Sequence, residues 1–125
     1  MSKHIIIDGK EYNVAIVQLQ RKADILDRYA ERSEDGVLHR EVIGTFINYA
    51  LKIGTVNDID LYEELFDVLS APVASHMVEL PNDHIRFEGY FSSIQDEVQL
   101  VRDDGTIYKN LVCRLTATRP RRTAK

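Results

Sequence analysis

The sequence feature that most constrains the fold is the stretch "EVIGTFINYALKI", residues 41–53, in which the residue type alternates with a period of two. Successive side chains of a β-strand point to opposite faces, and β-branched and aromatic residues dominate here, so the stretch is predicted to be a strand. One face comprises Ile43, Thr45, Ile47, Tyr49, Leu51 and Ile53, and the other comprises Val42, Gly44, Phe46, Asn48, Ala50 and Lys52. Both faces are too apolar to be left wet, so the second face is expected to be covered by the first hairpin of the same chain or by a partner.

The residues before this strand, "LDRYAERSEDGVLHR", are strongly charged and allow two interpretations. Helical spacing of Ile25, Leu26 and Tyr29 indicates a helix from about Ala23 to Ala30. Turn-forming residues at positions 33–36 between two charged flanks indicate instead the tip of a long hairpin. We favour the hairpin, and expect an extended arm.

The remaining elements follow from turn and cap signals. Asp-Gly at positions 8 and 9 predicts a hairpin, as does the "DDG" at 103–105. A helix is predicted at about 58–70, with Asn57 or Asp58 as its N-cap and Pro72 beyond its end. Its apolar stripe consists of Ile59, Tyr62, Leu65, Phe66 and Leu69. In the last long strand, Leu111, Cys113 and Leu115 are expected to point inward.

These elements predict a mainly β (α+β) fold: an antiparallel β-sandwich or barrel of about seven strands with one helix packed on it. Residues 1–118 are expected to form one domain. The basic residues 119–125 are expected to be a flexible tail. The apolar run before Asp8 is only three residues long, too short for a signal peptide or a membrane span, so we expect neither export nor a membrane role.

Composition and motifs argue against catalysis and cofactor binding. The chain has 16 basic and 20 acidic residues and a net charge of −4, so no overall positive charge draws it to nucleic acid. No nucleophile motif, phosphate-binding loop or metal-ligand spacing occurs, and we expect no catalytic residue, no cofactor and no metal. The single Cys113 is expected to be an inert core thiol. A weaker hypothesis is a hydrolase that uses His76 or His84 with a nearby carboxylate.

Several stretches resemble a known class of proteins: "REVIGTFINYALKIG", "YEELFDVLSAPVASHMVELP", "FEGYFSSIQDEV" and "LTATRPRR". Over roughly residues 10 to 122 the chain is similar to small structural proteins of the tails of bacteriophages and prophages, of the tail-tube or distal-tail kind. That resemblance implies a β-sandwich or barrel with a flanking helix, rings that are often six-fold and that stack around a channel, and hairpins that reach a neighbouring subunit.

We therefore expect a non-enzymatic virion protein of a phage or prophage tail, made in the cytoplasm of the bacterial host, that self-assembles into a ring or tube. The expected partners are further copies of the chain, in a ring that is possibly hexameric, and other tail proteins, with at most passive contact with DNA along an acidic channel. The alternative is a monomeric or dimeric adaptor that binds another tail protein. The expected interface residues are Asp27, Arg28, Glu31, Arg32, Glu34, Asp35, His39 and Arg40, as inter-subunit ion pairs, and Val42, Phe46 and Ala50, as apolar contacts.

Overall fold

One curled antiparallel sheet and one helix make up the fold. The computed structural model describes residues 5–56, 58–82 and 85–123. The strands and the helix are, in chain order, β1 (Ile5–Ile7), β2 (Lys10–Tyr12), β3 (Ile16–Arg32), β4 (Leu38–Ile53), α1 (Ile59–Leu69), β5 (His76–Glu79), β6 (Arg86–Arg102), β7 (Gly105–Ala117) and β8 (Arg122–Thr123). The mainly β class with a single helix is confirmed for the described residues.

The strand order places the first hairpin far from the long arm. The sheet runs β2-β1-β5-β6-β7-β4-β3, and β8 pairs with β4 beside this path. The sheet curls into a half-barrel, and a sandwich of two stacked sheets is not confirmed. β1 and β2 lie at the opposite edge of the sheet from β3, so they do not cover the second face of β4. Cover by the first hairpin was the alternative that needed no partner.

Two strands, β3 and β6, are each 17 residues long. β3 continues through residues 23–32, and its pairing with β4, which shifts register on either side of Asp27, confirms the arm and rules out the helix over those residues. At its start, the Val14 amide donates to the Tyr12 carbonyl, and this tight turn separates β2 from β3. β6 continues over 17 residues, because a bulge at Ser93, with a φ of 54°, absorbs an irregularity without ending the pairing.

The core lies between the concave face of the sheet and the helix. From β4 it takes Tyr49, Leu51 and Ile53, and from β7 it takes Leu111, Cys113 and Leu115, as the alternation predicted. The helix contributes Tyr62, Leu65 and Leu69. Asp58 is its N-cap, and Oδ1 of this residue accepts from the Leu61 amide at 3.1 Å, whereas the other predicted cap, Asn57, lies outside the described residues.

The helix also covers the tip of the β6–β7 hairpin. The Tyr62 and Tyr108 rings stack with centroids 5.2 Å apart, and the Tyr62 hydroxyl donates to Asp96 of β6. A Cβ atom at Gly105 would lie 3.0 Å from Ile59, so the hairpin end and the first helical turn are in close contact. This hairpin is therefore held against the core, and the β3–β4 hairpin is the one that extends away from it.

The C-terminal segment differs from the flexible tail that was expected for residues 119–125. Up to Thr123 it lies against β4, where the Arg121 amide donates to the Thr45 carbonyl at 2.9 Å and β8 pairs with residues 44 and 45. Gly44 makes this approach possible, because a Cβ atom there would come within 2.8 Å of the Pro120 Cβ. Residues 124 and 125 lie outside the described part of the chain.

Candidate assembly interface

The end of the β3–β4 hairpin extends beyond the rest of the sheet. β7 pairs with β4 only at residues 49–53, and β8 only at residues 44 and 45. In the described structure, residues 27–42 therefore pair only with each other, from Asp27 opposite Val42 to Arg32 opposite Leu38. We call residues 27–42 the arm; at about 3.3 Å per residue it is roughly 20 Å long.

Local hydrogen bonds fix the tip of the arm. The Arg32 guanidinium donates to the Gly36 carbonyl at 2.6 Å, and the Val37 amide donates to the Asp35 carboxylate at 3.1 Å. The Ser33 hydroxyl also donates to Asp35, and these bonds, the hydroxyl first, lower the pKa of that carboxyl below its usual value. Gly36 takes the left-handed conformation, with a φ of 84°, that a tight turn demands. Arg32 and Asp35, expected in inter-subunit pairs, thus form the tip itself.

Three more of the expected interface charges pair within the arm. The Arg40 guanidinium donates through Nε at 3.0 Å and Nη2 at 2.7 Å to Oδ1 of Asp27. Arg28 Nη1 lies 3.6 Å from Glu41 Oε1 across the same ribbon. Asp27, Arg28 and Arg40 thus each have a partner within the arm, and their role in contacts between subunits stays a prediction. Both pairs are partly exposed, so each stabilises the hairpin by about 0–1 kcal/mol.

The other three charged residues that were expected at the interface are free to contact a partner. Glu31, Glu34 and His39 are exposed and make no ion pair within residues 5–56, 58–82 and 85–123. Apolar side chains surround them. Five large ones on the arm and at its base are between 46% and 59% exposed: Ile25, Leu26, Tyr29, Val37 and Leu38. A two-stranded ribbon is marginally stable alone in water, and this one also exposes apolar surface.

The second face of the sheet carries both polar and apolar side chains. Val42, Phe46 and Ala50 are each half-buried, because side chains of neighbouring strands flank them on the same face. Three shallow cavities of about 270, 380 and 440 Å³ run along it. Phe46 lines the largest with Leu26 and Tyr90, and Ala50 lines the other two. This face therefore offers an apolar contact area at Phe46 beside polar and charged side chains.

The charges on this face do not match the acidic channel that was expected. The charged residues that line the three cavities are Lys22, Asp24, Lys52 and Arg114. Three of the four are basic. If the protein encloses a channel, an acidic lining has to come from another surface, such as the exposed side of the helix with Asp60, Glu63 and Asp67.

The structure brings one predicted histidine to a carboxylate. His76 is buried, and its Nδ1 lies 2.6 Å from Asp8 Oδ2; Asp8 Oδ1 accepts from the Met77 amide at 2.9 Å. The bond from His76 is the main reason why the pKa of Asp8 lies below its usual value. The pair joins the β1–β2 turn to β5. Sequence carried no signal for it, because the two residues meet only through strand pairing across 68 positions.

The hydrolase hypothesis gains this carboxylate, whereas Cys113 offers it no reactive thiol. His84 lies outside the described residues. Burial raises the pKa of Cys113, the only cysteine, to about 12, which leaves it an unreactive thiol. Among the residues that the structure describes, no group of three or more histidine, cysteine or acidic side chains is placed to hold a metal ion.

A cluster of arginines, which the sequence did not single out, surrounds the C-terminal segment. Arg121 is half-buried, its guanidinium carbon 5.3 Å from the centre of the Phe87 ring and its Nη1 3.5 Å from the Tyr49 hydroxyl. Arg21 and Arg122 line a cavity with it on the core side of the sheet. The sequence could not indicate this cluster, because 100 positions separate Arg21 from the other two.

Comparison with known proteins does not assign the chain to a family. No model of a protein family matches the sequence, and no characterised protein matches it. Within the described ranges, no helix is long and apolar enough to cross a membrane.

Proposed function

We propose that this protein is a structural component of a phage or prophage tail that self-assembles into a ring or tube through its arm. The observation that carries the proposal is the arm itself, a paired ribbon of about 20 Å with half-exposed apolar side chains and no cover from the described chain. Such a ribbon gains stability when its apolar surface is buried against a partner.

The outer edge of β3 supports the same proposal. β3 is the last strand of the sheet, 17 residues long, and its outer edge pairs with no other described strand. A long edge offers backbone donors and acceptors to a further strand, and charged side chains such as Lys22 and Arg28 restrict which strands can pair. The resemblance to tail proteins agrees with an arm that reaches a neighbour, and supplies the tail as the place of action.

Removing the arm tests the proposal. Asp27 and Val42 face each other in the hairpin, so a two-residue Asn-Gly turn in place of residues 28–41 closes the shortened hairpin without changing its register. The pairing of β4 with β7 and β8 lies outside the deletion and is retained. We expect the full chain to sediment as an oligomer, and the shortened chain to unfold cooperatively but sediment as a single chain.

A pair of surface variants gives the matched control. Tyr29→Ser with Leu38→Ser removes apolar surface from the arm and is expected to weaken assembly. Val101→Ser removes a side chain that is 72% exposed on the other long hairpin, and is expected to leave assembly unchanged. An oligomer that survives loss of the arm would refute assembly through the arm. A full chain that stays monomeric would favour the adaptor that binds another tail protein.

A further inference from the structure

Three arginines meet around one cavity on the core side of the sheet, beside the base of the arm. Its volume is about 280 Å³, and it is lined by Arg21, Ala23, Thr45, Ile47, Arg121 and Arg122. Strand pairing fixes the arginine backbones: Arg21 lies opposite Tyr49, and Arg122 lies opposite Thr45. No carboxylate lines the cavity, so we refer to it as the arginine cavity.

The electrostatics of the arginine cavity favour an anion. Guanidinium groups stay charged at any working pH and repel one another when they share a site. Neither Arg21 nor Arg122 forms an ion pair with any residue that the structure describes. Carboxylates or phosphates fit guanidinium donors best, because paired N–H groups match paired oxygens.

The arm tip carries anions that have no cationic partner in the described part of their own chain. Glu31 and Glu34 are exposed and unpaired within the described residues, in contrast to Asp27 and Asp35, which are engaged in the arm and its tip. The chain's net charge of −4 makes acidic surface of another copy available and disfavours the close approach of DNA.

The tip cannot reach the arginine cavity of its own chain. The β3–β4 pairing runs from Ile25 opposite Thr45 to Arg32 opposite Leu38, so the tip is held about 23 Å from Thr45 at 3.3 Å per residue. A paired ribbon does not fold back over that distance. If Glu31 or Glu34 enters an arginine cavity, the cavity therefore belongs to a different molecule.

We propose that the arginine cavity binds Glu31 and Glu34 from the arm tip of a second copy of this chain. The inference rests on the proposed self-assembly and specifies its contact. The tip of one copy and the base of the next are different surfaces, so the contact is heterologous and repeats until a ring closes or a filament grows.

Charge reversal tests the contact from both sides. Arg21→Glu with Arg122→Glu, and separately Glu31→Arg with Glu34→Arg, should each weaken association by at least about tenfold in sedimentation velocity. The combination of all four should restore association, because the charges are exchanged rather than removed. All four side chains are exposed, so folding should be retained, which circular dichroism verifies.

Two control variants each reverse one charge elsewhere. Asp67→Lys lies on the exposed side of the helix, and Arg102→Glu lies on the other long hairpin. Both should associate like the unmodified chain. Binding of a fluorescent single-stranded oligonucleotide is measured in parallel, because arginines can also hold phosphates.

The outcomes separate the two proposals. A full chain that is monomeric at every concentration overturns both self-assembly and this contact. The contact alone is overturned if neither charge reversal weakens association of the oligomer. It is also overturned if the four-residue exchange fails to restore association. Oligonucleotide binding that is lost only with Arg21→Glu and Arg122→Glu, while Glu31→Arg and Glu34→Arg assemble normally, assigns the arginine cavity to nucleic acid instead.

Discussion

Replacing Gly44 by alanine should detach the C-terminal segment from the sheet. A Cβ atom at this position would collide with the Arg122 carbonyl oxygen and lie 2.8 Å from the Pro120 Cβ. These are backbone and proline-ring atoms, which cannot avoid the Cβ atom by a change of side-chain rotamer. The φ of Gly44 lies outside the left-handed region, so the strand itself accepts alanine, and relief comes when residues 119–123 leave β4.

The loss in unfolding free energy is limited to the contacts that residues 119–123 make. It provides one hydrogen bond from the Arg121 amide, two paired positions in β8 and the contact of Arg121 with the Phe87 ring. At about 0.5–1.5 kcal/mol for each of these three backbone contacts and about 0.5–1 kcal/mol for the cation–π contact, the loss is roughly 2–5.5 kcal/mol. Alanine regains about 0.5–1 kcal/mol in a strand, so the unfolding free energy should fall by about 1–5 kcal/mol.

Urea unfolding in two backgrounds tests this reasoning. In the full chain, Gly44→Ala should lower the unfolding midpoint and speed trypsin cleavage after Arg121. A chain that ends at Thr118 lacks Pro120 and Arg122, the residues with which the Cβ atom collides. In that chain the same substitution should leave the unfolding free energy unchanged or raise it by about 0.5–1 kcal/mol. Equal destabilisation in both backgrounds would refute the account, because the cost would then arise within the sheet.

Three further predictions concern the core and the Asp8–His76 pair. Leu65→Ala, at a side chain with 0% exposure, should lower the unfolding free energy by about 2–5 kcal/mol in urea; a loss below 1 kcal/mol would mean that the helix does not seal the core. The pKa of Asp8 lies below its ordinary value of 3.8 because His76 hydrogen-bonds it, so its ionised form stabilises the fold at neutral pH and this contribution disappears as pH falls through the folded-state pKa. Asp8→Asn, which tolerates the same positive φ, should therefore lower the urea midpoint at pH 7, with a gap to the unmodified chain that closes below pH 3.8, and a constant gap would contradict a stabilising role of the ionised Asp8 carboxylate. With its pKa raised to about 12, Cys113 should resist iodoacetamide at pH 8 until urea unfolds the chain, and rapid labelling of the folded protein would show that the thiol is accessible.

Local features of the fold were predictable because they depend on neighbours in sequence. Alternation placed Tyr49 and Leu51 in the core, and cap and stop signals bounded the helix between Asp58 and Pro72. The turn residues at 33–36 correctly indicated the arm tip. Each of these signals acts within a few residues, where chain geometry leaves few alternatives.

Features that depend on strand pairing were not predictable. The alternation of β4 does not reveal that side chains of β3 and β7 flank its second face. Phe46 was therefore expected to be exposed without a partner, whereas it is half-buried in the single chain. The charges of the arm were interpreted as contacts for a neighbour, whereas the Arg40 side chain also bonds that of Asp27 inside the hairpin. The basic C-terminal residues were interpreted as solvated, although Arg121 packs on the Phe87 ring.

The mass of the purified full chain in solution, measured by light scattering over a hundredfold range of concentration, tests self-assembly most directly. The account predicts a particle whose mass is a multiple of 14.4 kDa, and whose mass reaches a plateau if the ring closes. A particle of 14.4 kDa at the highest concentration, with the arm intact, would contradict it.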